Sequence, residues 1–305
     1  MNVAARLAVF ALAVTVVFGT AVAAGRAVDP VHDEVADTMA DTMGDMVGSD
    51  HGEADHPDVE GGGHEEMAGQ GPSSVGGLSV VDDELRMEVD DPVLAAGASR
   101  PFSFRIFEAS GDVVTDFDPE QGGVELHLVV VNRDLSGFQH LHPQMGPDGT
   151  WSIPLALASP GASRAFVDVT VDGRPHTLGV DLFAPGEFTP QPLPAPSVTA
   201  TVEGYEVRFA SPDLVAGEQI ELSFSVERDG VPVTDLEPYL GARGHLVGLR
   251  QGDLAYLHLH PEEAAEDNTI VFAGSFPSPG TYRLFLQFQH QGVVRTVPLT
   301  MEVLR

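Results

Sequence analysis

Apolar and polar positions alternate in short runs over the last two-thirds of the chain. The runs Phe102–Phe107, Val124–Val131, Phe138–Leu141, Trp151–Leu157, Ala165–Val171 and Thr177–Phe183 are alternating or β-branched and are separated by Gly, Pro, Asp and Asn. A period of two sends successive side chains to opposite faces of a strand, so this pattern predicts an antiparallel β-sandwich over residues 85–184. Val124–Val131 is apolar almost throughout and predicts a buried strand with His127 in its middle.

The same pattern then returns. Val114-Thr-Asp-Phe-Asp-Pro119 is answered by Val233-Thr-Asp-Leu-Glu-Pro238, and Pro160-Gly-Ala-Ser-Arg164-Ala-Phe166 by Pro279-Gly-Thr-Tyr-Arg283-Leu-Phe285. The offset stays at 118 or 119 residues, which marks a tandem duplication with one fold used twice. The second sandwich is expected over residues 198–305, after a proline-rich linker at 185–197. Arg283 is expected to pair with Asp253. The predicted fold class is therefore all-β: two tandem Ig-like antiparallel sandwiches behind an N-terminal region of another kind.

That region has two parts. Residues 1–26 contain Leu7 to Gly25, nineteen residues without a charge between Arg6 and Arg26. This length suits either a cleaved signal peptide or a membrane-spanning anchor helix, and both place the bulk of the chain outside the cytoplasm. Residues 27–84 hold sixteen acidic and no basic residues, with glycines at Gly61-Gly62-Gly63 and Gly76-Gly77, and are expected to form a disordered, self-repelling tether. His32, His51, His56 and His64 lie in this tether with Met39, Met43, Met46 and Met67, a donor set that suits copper better than calcium or magnesium. A solvated spacer, or a short amphipathic turn over the methionines, is the competing reading.

Composition narrows the chemistry. The absence of cysteine removes disulfides, zinc–thiolate sites and thiol nucleophiles, and a net charge of −31 disfavours nucleic acid while concentrating cations. No serine or threonine nucleophile motif, phosphate loop or nucleotide fingerprint appears, so hydrolase or transferase activity has no support.

The remaining signal is a phrase carried by both repeats. His127-Leu-Val-Val-Val-Asn-Arg-Asp134-Leu-Ser-Gly-Phe138-Gln-His140-Leu-His142-Pro is matched by His245-Leu-Val-Gly-Leu-Arg-Gln-Gly-Asp253-Leu-Ala-Tyr256-Leu-His258-Leu-His260-Pro. A strand turns i and i+2 to one face, so His140 and His142 point together, as do His258 and His260, with Phe138 and Tyr256 beside them. With His127 or His245 from a neighbouring strand, each repeat offers three imidazoles, a set that zinc or copper accepts. Asp134 and Asp253 are candidates for orienting these ligands, and Met145 for an additional soft donor. His176 and His290 are expected at the surface. The competing account is a duplicated His–Asp–Arg network that serves structure alone, in a module that meets another envelope protein.

Together with the later stretch "FPSPGTYRLFLQFQHQGVVRTVPLTMEV", these phrases resemble the YtkA-like and FixH-like heavy-metal-associated proteins of the bacterial cell envelope. The resemblance covers both predicted sandwiches and not the tether. It implies an exported, membrane-associated β-sandwich binding module, and it supplies no catalytic residues.

Overall fold

The computed structural model describes residues 75–210, 213–257, 259–262 and 268–305. The apolar run Leu7–Gly25 and the histidines and methionines assigned to the tether lie outside these residues. Among the described residues there is no α-helix, and no helix is long and apolar enough to cross a membrane. Both repeats fall within one compact unit, Ala68–Arg305.

In the first repeat, β1 (Val81–Asp82), β2 (Leu85–Val89), β3 (Arg100–Phe107), β7 (Trp151–Leu155) and β6 (Gln144–Met145) form one antiparallel sheet in the order β1-β2-β3-β7-β6. The other sheet runs β5-β4-β8-β9, with β4 at His127–Asn132, β5 at Gln139–Leu141, β8 at Gly161–Val171 and β9 at Arg174–Ala184. The second repeat copies this topology. Its first sheet is β10 (Thr199–Val202), β11 (Tyr205–Phe209), β12 (Gln219–Arg228), β17 (Thr269–Ser275) and β16 (His260–Glu262), with a short β13 (Val231–Pro232) on β12. The second is β15-β14-β18-β19, formed by Tyr256–Leu257, Gly244–Arg250, Gly280–His290 and Val293–Val303. The tandem all-β sandwich expected from the sequence is the architecture observed.

Each sandwich encloses its own core. Phe102, Phe104, Ile106, Leu128, Val130 and Trp151 are buried in the first, and Tyr205, Phe224, Phe272, Tyr282 and Phe288 in the second. Alternating strands such as β3 bury one face, but every residue of β4 is buried. A third core explains the difference: Val129, Val131, Leu135 and Phe166 pack with Val247, Leu249, Leu254, Tyr256 and Phe285. The sheets β5-β4-β8-β9 and β15-β14-β18-β19 therefore meet face to face, and β4 serves its own sandwich with Leu128 and Val130 and the seam with Val129 and Val131.

The seam is isologous. Phe138 stacks on Phe285 at 4.1 Å between ring centroids, and the same contact seen from the other repeat is Tyr256 against Phe166 at 5.3 Å. Residues that correspond to each other also meet directly: a Cβ on Gly241 would lie 3.6 Å from the Gly122 nitrogen, and the His127 and His245 rings stack at 5.3 Å. Such reciprocity is what a local two-fold axis between the duplicated units requires.

One boundary differs from expectation. The folded unit begins ahead of residue 85, because β1 and Gly76-Gly77 are already part of it. Gly77 N donates to Thr177 O of the first repeat at 2.9 Å, and Tyr256 N of the second donates to Gly76 O at 3.1 Å, so this stretch is strapped across the seam. Glycine is needed there: Gly77 has φ +73°, and a Cβ would lie 2.5 Å from the Phe166 ring.

Candidate metal centre

β4 and β5 bring the first repeat's three histidines together. Val129 and His140 are cross-strand partners, which places His140 beside His127 on the seam face of the sheet, and His142 follows as the chain leaves β5 for β6 in the opposite sheet. One nitrogen from each of His127, His140 and His142 lies within 4.8 Å of the others. His127 Nδ1 is 2.8 Å from His140 Nε2 and 3.3 Å from His142 Nε2. Two nitrogens bound at about 2.0–2.1 Å to one tetrahedral ion stand about 3.3 Å apart, so small rotations close this set around a metal.

The second repeat supplies the surroundings. Gln287 of β18 is His245's cross-strand partner, and its Oε1 accepts from His140 Nδ1 at 2.7 Å. At its other end Gln287 Nε2 donates to Thr296 Oγ1 at 3.1 Å. With Oε1 facing the ring, His140 Nδ1 carries the hydrogen and Nε2 the lone pair. The His245 ring covers His140 at 4.3 Å and 21°. Burial lowers the His140 pKa to about 3; His127 adds to the effect and Gln287 opposes it. His142 is lowered as well, again by burial. Both rings are therefore neutral near pH 7 and available as ligands.

The second triplet is placed differently. His245 lies in the seam against the first repeat's cluster, His260 is exposed at the start of β16, and His258 lies outside the described residues. Next to the triad opens a cleft of about 350 Å³, lined from both repeats by His127, His245, His260, Asp168, Glu120 and Tyr256 among others. His127, His245 and His260 line this one cleft from both repeats, where the sequence suggested a separate site in each sandwich.

Several expected roles are corrected. Asp134 and Asp253 hold turns. Asp134 Oδ1 accepts from Ser136 N at 3.1 Å and Asp253 Oδ1 from Ala255 N at 3.2 Å, and between each pair sits a leucine in the left-handed region, Leu135 at φ 65° and Leu254 at φ 63°. The repeated Asp-Leu is thus an Asx turn that drives a leucine into the seam, where both side chains are buried. Asp253 pairs with Arg250, and Arg283 instead donates to Thr300 Oγ1 at 2.6 Å. Met145 packs against the first core. His176 and His290 are buried, at 4% and 5% exposure; His290 is held between Tyr205 Oη at 2.7 Å and Asp235 Oδ1 at 3.0 Å.

Gln287 and Asp168 are neighbours of the histidine cluster that sequence reasoning missed. Their signal is the offset of 119, which makes them counterparts, together with their positions opposite His245 and His127 in the sheets. A pairing between strands that are not consecutive in the chain was needed to see it.

Solved structures similar to the chain include the Escherichia coli adhesin FdeC, 15% identical, with 73% of this chain and 64% of that chain covered at a TM-score of 0.25. A bacterial integrin-binding protein, invasin, is 14% identical over 73% of this chain and 40% of that one, with a TM-score of 0.23. The filamin domain of Lin-41 is 12% identical over 35% of this chain and 98% of its own, at 0.24. The chain thus spans less than two-thirds of the adhesin's length and less than half of the invasin's. No curated protein matches. A family model described as a domain of unknown function, DUF8832, matches residues 79–185 and again 200–304, most of the chain, which therefore belongs to that family and carries its domain twice.

Proposed function

We propose that this chain is a non-enzymatic, extracytoplasmic β-sandwich binding module that holds a copper or zinc ion on His127, His140 and His142. The observation that carries this reading is the convergence of three imidazole nitrogens, one of them presented as a lone pair by the Gln287 amide. A metal ligand whose other ring nitrogen donates to a fixed acceptor is the usual arrangement at such sites. Imidazole ligands suit zinc and copper, and the acidic chain draws cations towards them. The extracytoplasmic placement rests on the apolar run Leu7–Gly25. A relation to the YtkA-like and FixH-like proteins belongs to the same proposal, on the strength of the repeated phrases.

The test is the metal stoichiometry of the full chain with Zn(II) and with Cu(II), beside His140→Ala/His142→Ala. The double variant should lose one equivalent and keep its fold, since both sandwich cores are complete without the metal. The tether's own binding cancels in this difference. Equal stoichiometry in the two proteins overturns the reading.

A second reading has its own observation. The stacking of His140 and His127 against His245 makes these rings part of the packing between the repeats. On this reading the histidines are structural, and the paired sandwiches present a surface to another envelope protein. It predicts unchanged metal stoichiometry and a lowered melting temperature in the double variant.

A further inference from the structure

Resting on the metal-binding reading above, we infer that the site is completed across the seam: Gln287 of the second repeat is the positioning residue that presents His140 to the ion, so metal binding and repeat docking are coupled. All three ligands belong to the first repeat. What fixes the orientation of the His140 ring comes from the second: Gln287 Oε1 at Nδ1, 2.7 Å away, and the His245 ring stacked at 4.3 Å. Gln287 is itself immobilised, 5% exposed and tied to Thr296 on β19. Were the second repeat to draw back, the His140 ring would be free to turn about its χ2, and its Nε2 lone pair would no longer be aimed at the point it shares with His127 and His142. Binding free energies are reciprocal, so an ion that favours the docked arrangement strengthens docking by the same factor by which docking strengthens ion binding. The ion would thus fasten two repeats between which the sequence places only a proline-rich linker.

The experiment uses the full chain and compares the wild type with Gln287→Leu, Gln287→Glu and the His140→Ala/His142→Ala pair. Zn(II) affinity is read by competition with a chromophoric chelator, and the site's symmetry from the visible spectrum of the Co(II) form. Loss of the orienting acceptor at such a site weakens binding about 10- to 100-fold. Gln287→Leu should show that loss, with stoichiometry kept and the Co(II) spectrum altered. Gln287→Glu, which still accepts from Nδ1, should bind at least as tightly as the wild type. Zn(II) should also slow hydrogen exchange at Val129, Val131, Val247 and Leu249 in the wild type and leave it unchanged in the double histidine variant. Wild-type affinity and spectrum in Gln287→Leu, or exchange at the seam that ignores Zn(II), overturns the inference while leaving the triad as a site. A wild type that binds no more metal than the double histidine variant overturns the metal reading itself. Should Gln287→Leu fail to fold, the exchange measurement on the wild type still decides.

Discussion

The two repeats present nearly the same face to the seam, and the places where they differ separate what holds the fold from what faces the histidines. The reciprocal aromatic contacts, Phe138 on Phe285 and Tyr256 on Phe166, are kept in both copies, as are the Asp-Leu turns that bury Leu135 and Leu254. Opposite the first histidine of each phrase the copies part: Asp168 faces His127, and Gln287 faces His245. Arg164 pairs with Asp181 at 2.8 Å, whereas its counterpart Arg283 meets the hydroxyl of Thr300. Packing is duplicated with little change, and charge is not. Around the same scaffold the first repeat carries carboxylates where the second is neutral.

The largest test of the shared part removes one of the reciprocal contacts. Phe285→Ala deletes a buried ring from the seam core and should cost about 3–5 kcal/mol of stability, measured by chemical denaturation. The isologous geometry further requires that Phe166→Ala, at the equivalent position, be similarly costly. A large loss in one and none in the other would mean that the seam is not a symmetric interface.

This comparison also marks how far the sequence could be read. Strand runs and the 118-to-119 offset were legible because alternation and repetition are local properties of the chain. The histidine phrase was legible as a cluster because His140 and His142 are two residues apart, although His142 lies just past the end of β5. The seam was not, because whether an apolar outer face meets solvent, a partner or the chain's other half depends on contacts about 120 residues apart. The all-buried Val129–Val131 stretch was the trace it left. The Asp-Leu pair was misassigned because a carboxylate near histidines reads as a ligand-orienting group, whereas its partner is a backbone N–H two residues on. Gln287 could not be singled out, since its role comes from β18 lying beside β14 and across from His140.

Next in size is the strap. Gly77 and Gly97 both have positive φ, 73° and 70°, but a Cβ on Gly97 meets nothing within 4 Å. Gly97→Ala should therefore cost only the backbone term, about 1 kcal/mol, whereas Gly77→Ala adds the clash with Phe166 and should cost roughly 2–3 kcal/mol. Equal losses from thermal unfolding would show that residues 76–79 are not packed into the seam. Smaller again are the turns: Asp134→Ala and Asp253→Ala each remove an acceptor from a backbone N–H and should cost about 1 kcal/mol. Asp134 also accepts from Gln191 N at 2.7 Å, so its replacement should in addition raise protease cleavage in the linker, and Asp253→Ala should not.

The smallest effect reads the difference in charge directly. Partial burial works against ionisation of Asp181, but the guanidinium groups of Arg133 and Arg164 outweigh it and lower its pKa below 3.8. A carboxylate whose folded pKa is depressed contributes stability that is complete above the unfolded value and is lost as pH falls through the folded one. The contribution of Asp181 should therefore be constant at neutral pH and decline below about pH 4. Thr300, at the equivalent place, has no proton to gain, so the Arg283 side of the molecule should be indifferent to the same change. Asp181 and Arg133 are each about a third exposed, 32% and 35%, and solvent screening keeps the effect below about 1 kcal/mol. The sensitive readout is local: between pH 5 and pH 3, hydrogen exchange corrected for its intrinsic pH dependence should rise at β8 and β9, where Arg164 also binds the strap through Gly77 O at 2.6 Å, before it rises at β18 and β19. Asp181→Thr, which gives the first repeat the second's arrangement, should abolish the difference. If β18 and β19 open first, or if Asp181→Thr leaves the order unchanged, the carboxylates of the first repeat are not what distinguishes the two halves at low pH.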